Sequence, residues 1–167
     1  MQRVQGGDAA ALGELLGRWR SRLYAFLSRR AGEAADDLFQ ETWLRVVRAA
    51  GSFDPGRRFS TWLFQIANNL CRDRARRRAV EEGWRESMRS DARHESAPRP
   101  APALDLRIDM HRRVSALPER LREVLLLRYY HQLSEEEIAE IVGIPRGTVK
   151  SRLHHAVRAL RDQELAS

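Results

Sequence analysis

Between residues 12 and 70 the apolar residues recur every three to four positions, and no long stretch alternates apolar with polar. That period belongs to helices with one buried face and not to strands, so the chain is predicted to be all-α. Leu12, Leu15, Leu16, Trp19, Leu23, Phe26 and Leu27 form a first stripe, broken at Ala31-Gly32-Glu33-Ala34. Phe39, Trp43, Val46, Val47 and Ala50 form a second. Asp36 and Asp37 stand at its start, where the positive helix end favours carboxylates. Gly51 and Asp54-Pro55-Gly56 supply turn chemistry. Phe59, Trp62, Leu63, Ile66, Ala67 and Leu70 form a third stripe, which runs into Arg72, Arg74, Arg76, Arg77 and Arg78.

The period is lost over residues 83–107. Ser96-Ala97-Pro98-Arg99-Pro100-Ala101-Pro102 carries proline at every second position, which no helix accepts. It reads as an extended linker, and a plain tether is an equal reading. The organisation expected is two small helical domains, 1–80 and 108–164, joined by a flexible linker over 81–107. Such a tether leaves the two modules at undefined spacing.

In the second block Pro118 suits the first turn of a helix carrying Leu121, Val124, Leu125 and Arg128. Ser134-Glu135-Glu136-Glu137 is a capping-box pattern ahead of Ile138, Ala139, Ile141 and Val142. Gly143 stops that helix, Ile144-Pro145 turns the chain, and a last helix is expected from Arg146 to about Arg161. Helix, glycine turn, helix is the helix-turn-helix layout.

Charge separates the last two helices. Glu135, Glu136, Glu137 and Glu140 crowd the first, whereas the second has five basic residues and no acid from Arg146 to Arg161. On that last helix Val149, Leu153, Ala156, Val157 and Leu160 point inward. Arg146, Lys150, His154 and Arg158 lie opposite at steps of four, flanked by Ser151 and His155. A helix meant for the major groove must shed carboxylates that would face phosphates. A solvated basic face is the bland alternative.

The whole chain leans the same way. Lys plus Arg number 30 against 23 Asp plus Glu, a net charge of +7 that favours a polyanionic partner. Lys150 is the sole lysine; arginine forks bind phosphate and guanine edges bidentately. Residues 57–78 hold seven arginines and one acid, Asp73. Arg57, Arg58 and Arg76 suit phosphate, and Phe59 and Trp62, read as exposed, suit stacking on single-stranded bases. Ordinary core is an equal reading for the two rings. Trp62, Asn69 and Asp73, at i, i+7 and i+11, share one side of a helix. A lone carboxylate among arginines points to a base amino group or a positioning contact, and a local ion pair with Arg76 or Arg77 is the plain alternative.

Several classes drop out. One cysteine, Cys71, permits no intramolecular disulfide, and with five scattered histidines it gives no metal-ligand spacing. No apolar run approaches a membrane span, and the N-terminus has no hydrophobic signal segment, so a cytoplasmic protein without membrane insertion is expected.

Asp37-Leu38-Phe39-Gln40-Glu41-Thr42-Trp43, Phe53-Asp54, Phe59-Ser60-Thr61-Trp62-Leu63, Ile66-Ala67-Asn68-Asn69 and Arg72-Asp73 resemble region 2 of bacterial sigma factors. Leu117-Pro118-Glu119-Arg120-Leu121-Arg122-Glu123-Val124 and Gly147-Thr148-Val149-Lys150-Ser151-Arg152-Leu153 resemble region 4. Over nearly its full length the chain is similar to the extracytoplasmic-function group of the sigma-70 family. The resemblance implies a transcription initiation factor that makes no bonds itself and needs no cofactor. It implies as partners core RNA polymerase (β′ clamp coiled coil and β flap), promoter DNA and an anti-sigma factor. Asp37, Gln40 and Glu41 would face the clamp. The loop from Ser52 to Phe59 would hold a flipped −10 base, with Trp62 supporting melting and Asn69 and Asp73 on the −10 strand. Lys150, Ser151, His154 and His155 would read the −35 element.

Two other classes compete. A free-standing helix-turn-helix regulator would need a dimer interface or an effector domain, and neither is evident. A nuclease using Glu135 to Glu137 would need convergent partners for acids that sit in a cap and on a helix surface.

Overall fold

The computed structural model describes residues 1–88 and 106–165, and among them there are helices and turns but no strand. In chain order the helices are α1 (Gln2–Gln5), α2 (Ala9–Ala31), α3 (Ala35–Arg48), α4 (Phe59–Met88), α5 (Leu106–Ala116), α6 (Glu119–Tyr129), α7 (Glu135–Val142) and α8 (Arg146–Leu165). Short 3-10 turns at Gly32–Ala34 and Ala50–Ser52 flank α3.

Local chemistry sets these limits. The Asp8 carboxylate caps α2 by accepting the Ala11 N–H at 3.0 Å. The capping box of α7 is complete: Ser134 Oγ accepts the Glu137 N–H at 3.2 Å, and Glu137 Oε2 accepts the Ser134 N–H at 2.9 Å. Gly143, left-handed at φ 73°, ends α7, a conformation that costs a residue with a Cβ. Pro118 stands one position earlier than expected, as the N-cap of α6.

The proline-alternating segment lies outside the described residues. The flanks of the expected linker do not: α4 continues through residue 88, and α5 begins at Leu106. The i,i+4 pair Arg78–Glu82, at 2.7 Å, supports α4 past residue 80.

In this structure the two blocks share a core. One core cluster contains Leu23, Phe26 and Leu27 of α2, Val46 of α3 and Leu63 and Phe64 of α4. The same cluster contains Val124 and Leu127 of α6, Leu133, and Ile138 and Ile141 of α7. A smaller core of Val114, Leu117, Leu125, Leu126 and Ala156 lies within the second block. Part of the reason is visible in α6, where Glu123, Val124, Leu125, Leu126 and Leu127 are all buried. Five consecutive buried residues go once round the helix, so that turn needs partners on more than one side. Leu125 and Leu126 belong to the second block's own core, and Val124 and Leu127 to the cluster shared by both blocks. Fully burying a large apolar side chain contributes about 1.5–3 kcal/mol, against about 0–1 kcal/mol for an exposed ion pair. Apolar burial therefore dominates the docking, and surface pairs tune it.

Candidate polymerase and nucleic-acid interfaces

The outer face of α3 is the first surface. Asp37 and Gln40 are exposed, and Glu41 is half-buried with its carboxylate 2.9 Å from Arg45 Nε. Leu44 and Val47 continue this face at i+4 and i+7 from Gln40, and they are 50% and 47% exposed. Val47 was expected inside; Leu38 takes the inner position with Trp43 and Val46, because the true inward arc is rotated toward Ala35 and Thr42. Thr42, fully buried, donates its hydroxyl to the Leu38 carbonyl at 2.6 Å.

The second surface joins the 52–58 loop to α4. Asp54 Oδ1 accepts the Gly56 N–H at 2.8 Å, closing an Asx turn. Gln5 Nε2 donates to the carbonyls of Ala50 (3.0 Å) and Phe53 (2.9 Å), so α1 braces the loop. Of the two readings of Phe59 and Trp62, the structure favours core over exposed rings. Both are half-buried in a cluster with Phe53 and Trp19, the Phe53–Trp62 centroids being 4.9 Å apart. Asn69 is exposed one turn before Asp73, and Asp73 pairs with Arg76 at 3.1 Å. Asp73 also lines one cleft with Asp37, Glu41, Arg45, Arg74 and Arg77, so α3 and α4 bring together residues that the sequence separates into two sites.

Arg57 and Arg58 have partners from the other block. Arg57 Nε donates to Glu140 Oε1 at 2.9 Å, and Arg58 Nη1 donates to Glu137 Oε1 at 2.6 Å. Burial alone would push the Glu137 carboxyl up, but the Ser134 N–H and the Arg58 guanidinium outweigh it and hold its pKa below the usual carboxylate value.

The third surface is α8. Val149 and Ala156 are buried and Leu153, Val157 and Leu160 half-buried, as the spacing predicts. Lys150, Ser151, His154, His155 and Arg158 are exposed on the opposite side. Arg146 is exposed but paired, 3.1 Å from Glu135 and 2.7 Å from Glu136. Arg158 approaches Asp162 at 3.9 Å. Among the described residues no group of three or more His, Cys, Asp or Glu could hold a metal ion. Cys71 is buried, and burial pushes its thiol up to about 11.

Five residues at the junction of the blocks carried no functional reading in the sequence. Arg30, with its side chain fully buried, donates to Asn68 Oδ1 and to the Glu119 carboxylate. Glu123 receives arginines from three helices. His131 packs its ring against Phe26 and Phe64, at 5.5 and 4.6 Å between centroids. A charged residue at the edge of an apolar run, Glu123 ahead of Val124 to Leu127, was the available signal.

Comparison with known proteins gives the family of both helical blocks. Residues 15–81 match the family model for sigma-70 region 2, and residues 107–160 match that for sigma-70 region 4. The ECF RNA polymerase sigma factor SigW of Bacillus subtilis is 33% identical, over 98% of this chain and 94% of the relative. The chain belongs to the sigma-70 family, in its extracytoplasmic-function group. The ECF sigma-E factor of Escherichia coli is 32% identical, over 96% of this chain and 90% of its own. The sigma factor RpoE of Bartonella quintana, solved with the anti-sigma factor NepR, superposes with a TM-score of 0.74 at 28% identity, over 90% of this chain and 94% of that one. CnrH, solved with the cytosolic domain of CnrY, also gives 0.74, at 25% identity over 99% and 95%. The two helical blocks are thus sigma regions 2 and 4, and the chain is a sigma factor for transcription initiation. Among the described residues no helix is long and apolar enough to cross a membrane.

Proposed function

We propose that this sigma factor binds core RNA polymerase through Asp37, Gln40 and Glu41, extended by Leu44 and Val47, and works in the cytoplasm without making bonds itself. The observation that carries this reading is the apolar pair standing exposed beside the polar face of α3. Its place beside Asp37, Gln40 and Glu41 on one helix face supports a protein partner there. The clamp coiled coil of the β′ subunit is the occupant assigned to that face. The β flap is assigned to an apolar groove of about 370 Å³ in region 4, lined by Met110, Val114, Leu125, Tyr129, Tyr130 and Leu160 among others.

Promoter contacts divide between the regions. Arg57, Arg58 and Arg76 take phosphates of the −10 element, Asn69 and Asp73 face the opened strand, and Phe59 and Trp62 support it from their half-buried cluster. Lys150, Ser151, His154 and His155, with Arg146 and Arg158 beside them, read the −35 duplex. An anti-sigma factor completes the set of partners, on the precedent of RpoE with NepR. The test is transcription from a random promoter library with purified core polymerase. Enrichment of one −10/−35 pair that depends on this chain is expected. Specific footprints by the chain alone, with no transcripts from the reconstituted mixture, would favour a free-standing regulator.

A further inference from the structure

The helix α4 runs on past the residues given a role so far, as far as Met88. At about 100° per residue, Trp62, Asn69, Asp73, Arg76, Val80 and Trp84 fall within one arc of about 80°. The face assigned to the −10 strand therefore continues for about two more turns and ends on two apolar side chains. Val80 is 55% exposed, and Trp84, at 71%, is the most exposed large apolar side chain among the described residues. Trp84 also lies beyond residues 15–81, which match region 2. The charges around the indole say what partner it fits. Arg74, Arg76, Arg77 and Arg78, all exposed, occupy the turns before it. The one acid on the arc, Asp73, is paired with Arg76, and Glu82 is held by Arg78 at 2.7 Å. Glu81 lies about 60° round from Trp84 and lines the cleft toward α3 together with Arg77. A ring at the end of a basic face suits nucleic acid, whose backbone arginines hold and whose flat groups rings cover.

The chain sets the direction. The C-terminal end of α4 leads toward region 4, whose −35 target lies upstream, so Trp84 stands upstream of Asn69. The two are 15 residues apart, about 22 Å along the helix axis, or about six to seven base pairs of duplex. We propose that Val80 and Trp84 extend the DNA-binding face of α4 onto the duplex just upstream of the −10 element: the Trp84 ring lies against a deoxyribose and its indole N–H donates to a phosphate, with Val80 packed beside it. The direction and distance rest on the reading that puts Asn69 and Asp73 on the −10 strand. Contacts to sugar and phosphate position DNA without reading its bases. Trp84 thus anchors the upstream duplex at the edge of the bubble, whatever its sequence.

The experiment uses holoenzyme assembled from the full chain and core polymerase, on a promoter enriched from the random library. Two labelled fork templates share the single-stranded −10 element and the downstream duplex. One keeps about ten base pairs of duplex upstream of the −10 element, enough to reach Trp84, and the other ends at that element. W84A should weaken binding to the first template by about fivefold or more and leave binding to the second unchanged. Scrambling the upstream base pairs should not alter that loss. Alanine suits a helix and Trp84 is exposed, so circular dichroism and affinity for core polymerase should match the wild type. Undiminished binding of W84A to the first template overturns the proposal, as does an equal loss on both templates or a loss that follows the upstream sequence. Weaker binding to core polymerase also overturns it and gives the ring to a protein surface. N69A tests the underlying reading separately, since it should weaken binding to both templates. A silent N69A beside a template-dependent W84A overturns the −10 assignment of Asn69 without touching the upstream contact. The reverse pattern removes the Trp84 contact alone.

Discussion

Arg72 of α4 grips Glu123 of α6 with both ends of its guanidinium fork, Nε at 3.1 Å and Nη2 at 2.9 Å. Its remaining terminal nitrogen donates to the Val142 carbonyl at the end of α7, at 2.8 Å. Glu123 is 2% exposed and also meets Arg152 of α8 at 3.2 Å and Arg30 of α2 at 3.6 Å. One carboxylate thus pairs with guanidinium groups from three other helices across the junction of the regions. A buried charge keeps its place only when it is paired and hydrogen-bonded, and removing one partner strands the others.

Glu123→Ala is therefore expected to cost about 3–5 kcal/mol, because it leaves arginine charges clustered without a counterion. Chemical denaturation followed by circular dichroism measures it. Arg72→Ala should cost less, since Glu123 keeps Arg152 and Arg30. Equal losses for the two variants would show that Glu123 is not the hub.

His131 gives a pH dependence with a defined sign. Burial first, and the charges of Arg29 and Arg22 second, lower its pKa from the ordinary 6.5 to about 4. Arg58 and Glu137 line the same cleft. The neutral ring is the folded form, and the unfolded chain binds the proton more tightly. The stabilisation is fully present above the unfolded pKa and declines as pH falls through the window from 6.5 toward 4. Between about pH 7 and about pH 5 the loss should be on the order of 2 kcal/mol. His131→Phe keeps a ring against Phe26 and Phe64 and cannot take a proton. Urea unfolding of this variant should lose that part of the slope, and an unchanged slope would exonerate the ring.

The α3 face predicts a split between binding and stability. Leu44→Ser with Val47→Ser removes exposed apolar surface, so stability should move by about 0.5 kcal/mol or less per site. Affinity for core polymerase should fall about tenfold or more if the pair is a centre of that interface. Thermal melts and a competition assay against a second sigma factor report the two quantities separately. Undiminished binding would remove the pair from the interface.

Much of this was legible in the sequence, and the failures have physical causes. The turn at Gly143, the capping box at Ser134 and the two faces of α8 follow from short-range rules, and the structure repeats them residue by residue. Val47 went wrong because α3 has apolar residues on two faces, and periodicity does not say which face meets the core and which awaits a partner. The docking of the regions was missed because it depends on long-range burial. Val124 and Leu125 were read only as one stripe of a helix, yet the burial of all of Val124 to Leu127 requires a second surface. The acids of α7 looked unpartnered for the same reason: Arg57 and Arg58 lie about 80 residues away in the chain.

Asp73 is the sharpest remaining test of base readout. Its carboxylate accepts Arg76 Nη2 at 3.1 Å, an i,i+3 contact in which the arginine is largely exposed. Such a pair is worth at most about 1 kcal/mol, so it positions Arg76 more than it stabilises α4. Asn69, one turn earlier and exposed, keeps its amide donors and acceptor available for an unstacked base. The two residues should therefore behave differently in holoenzyme on a template with a pre-melted −10 bubble in which each base is varied. Asn69→Ala should change the preference at one position. Asp73→Ala should leave every preference in place and shift the overall affinity by about fivefold or less, because only the aim of a phosphate-binding arginine changes. The closed template should show the same small shift. A base-specific effect of Asp73→Ala, absent from Arg76→Ala, would mean that the carboxylate leaves its arginine and reads an amino group itself.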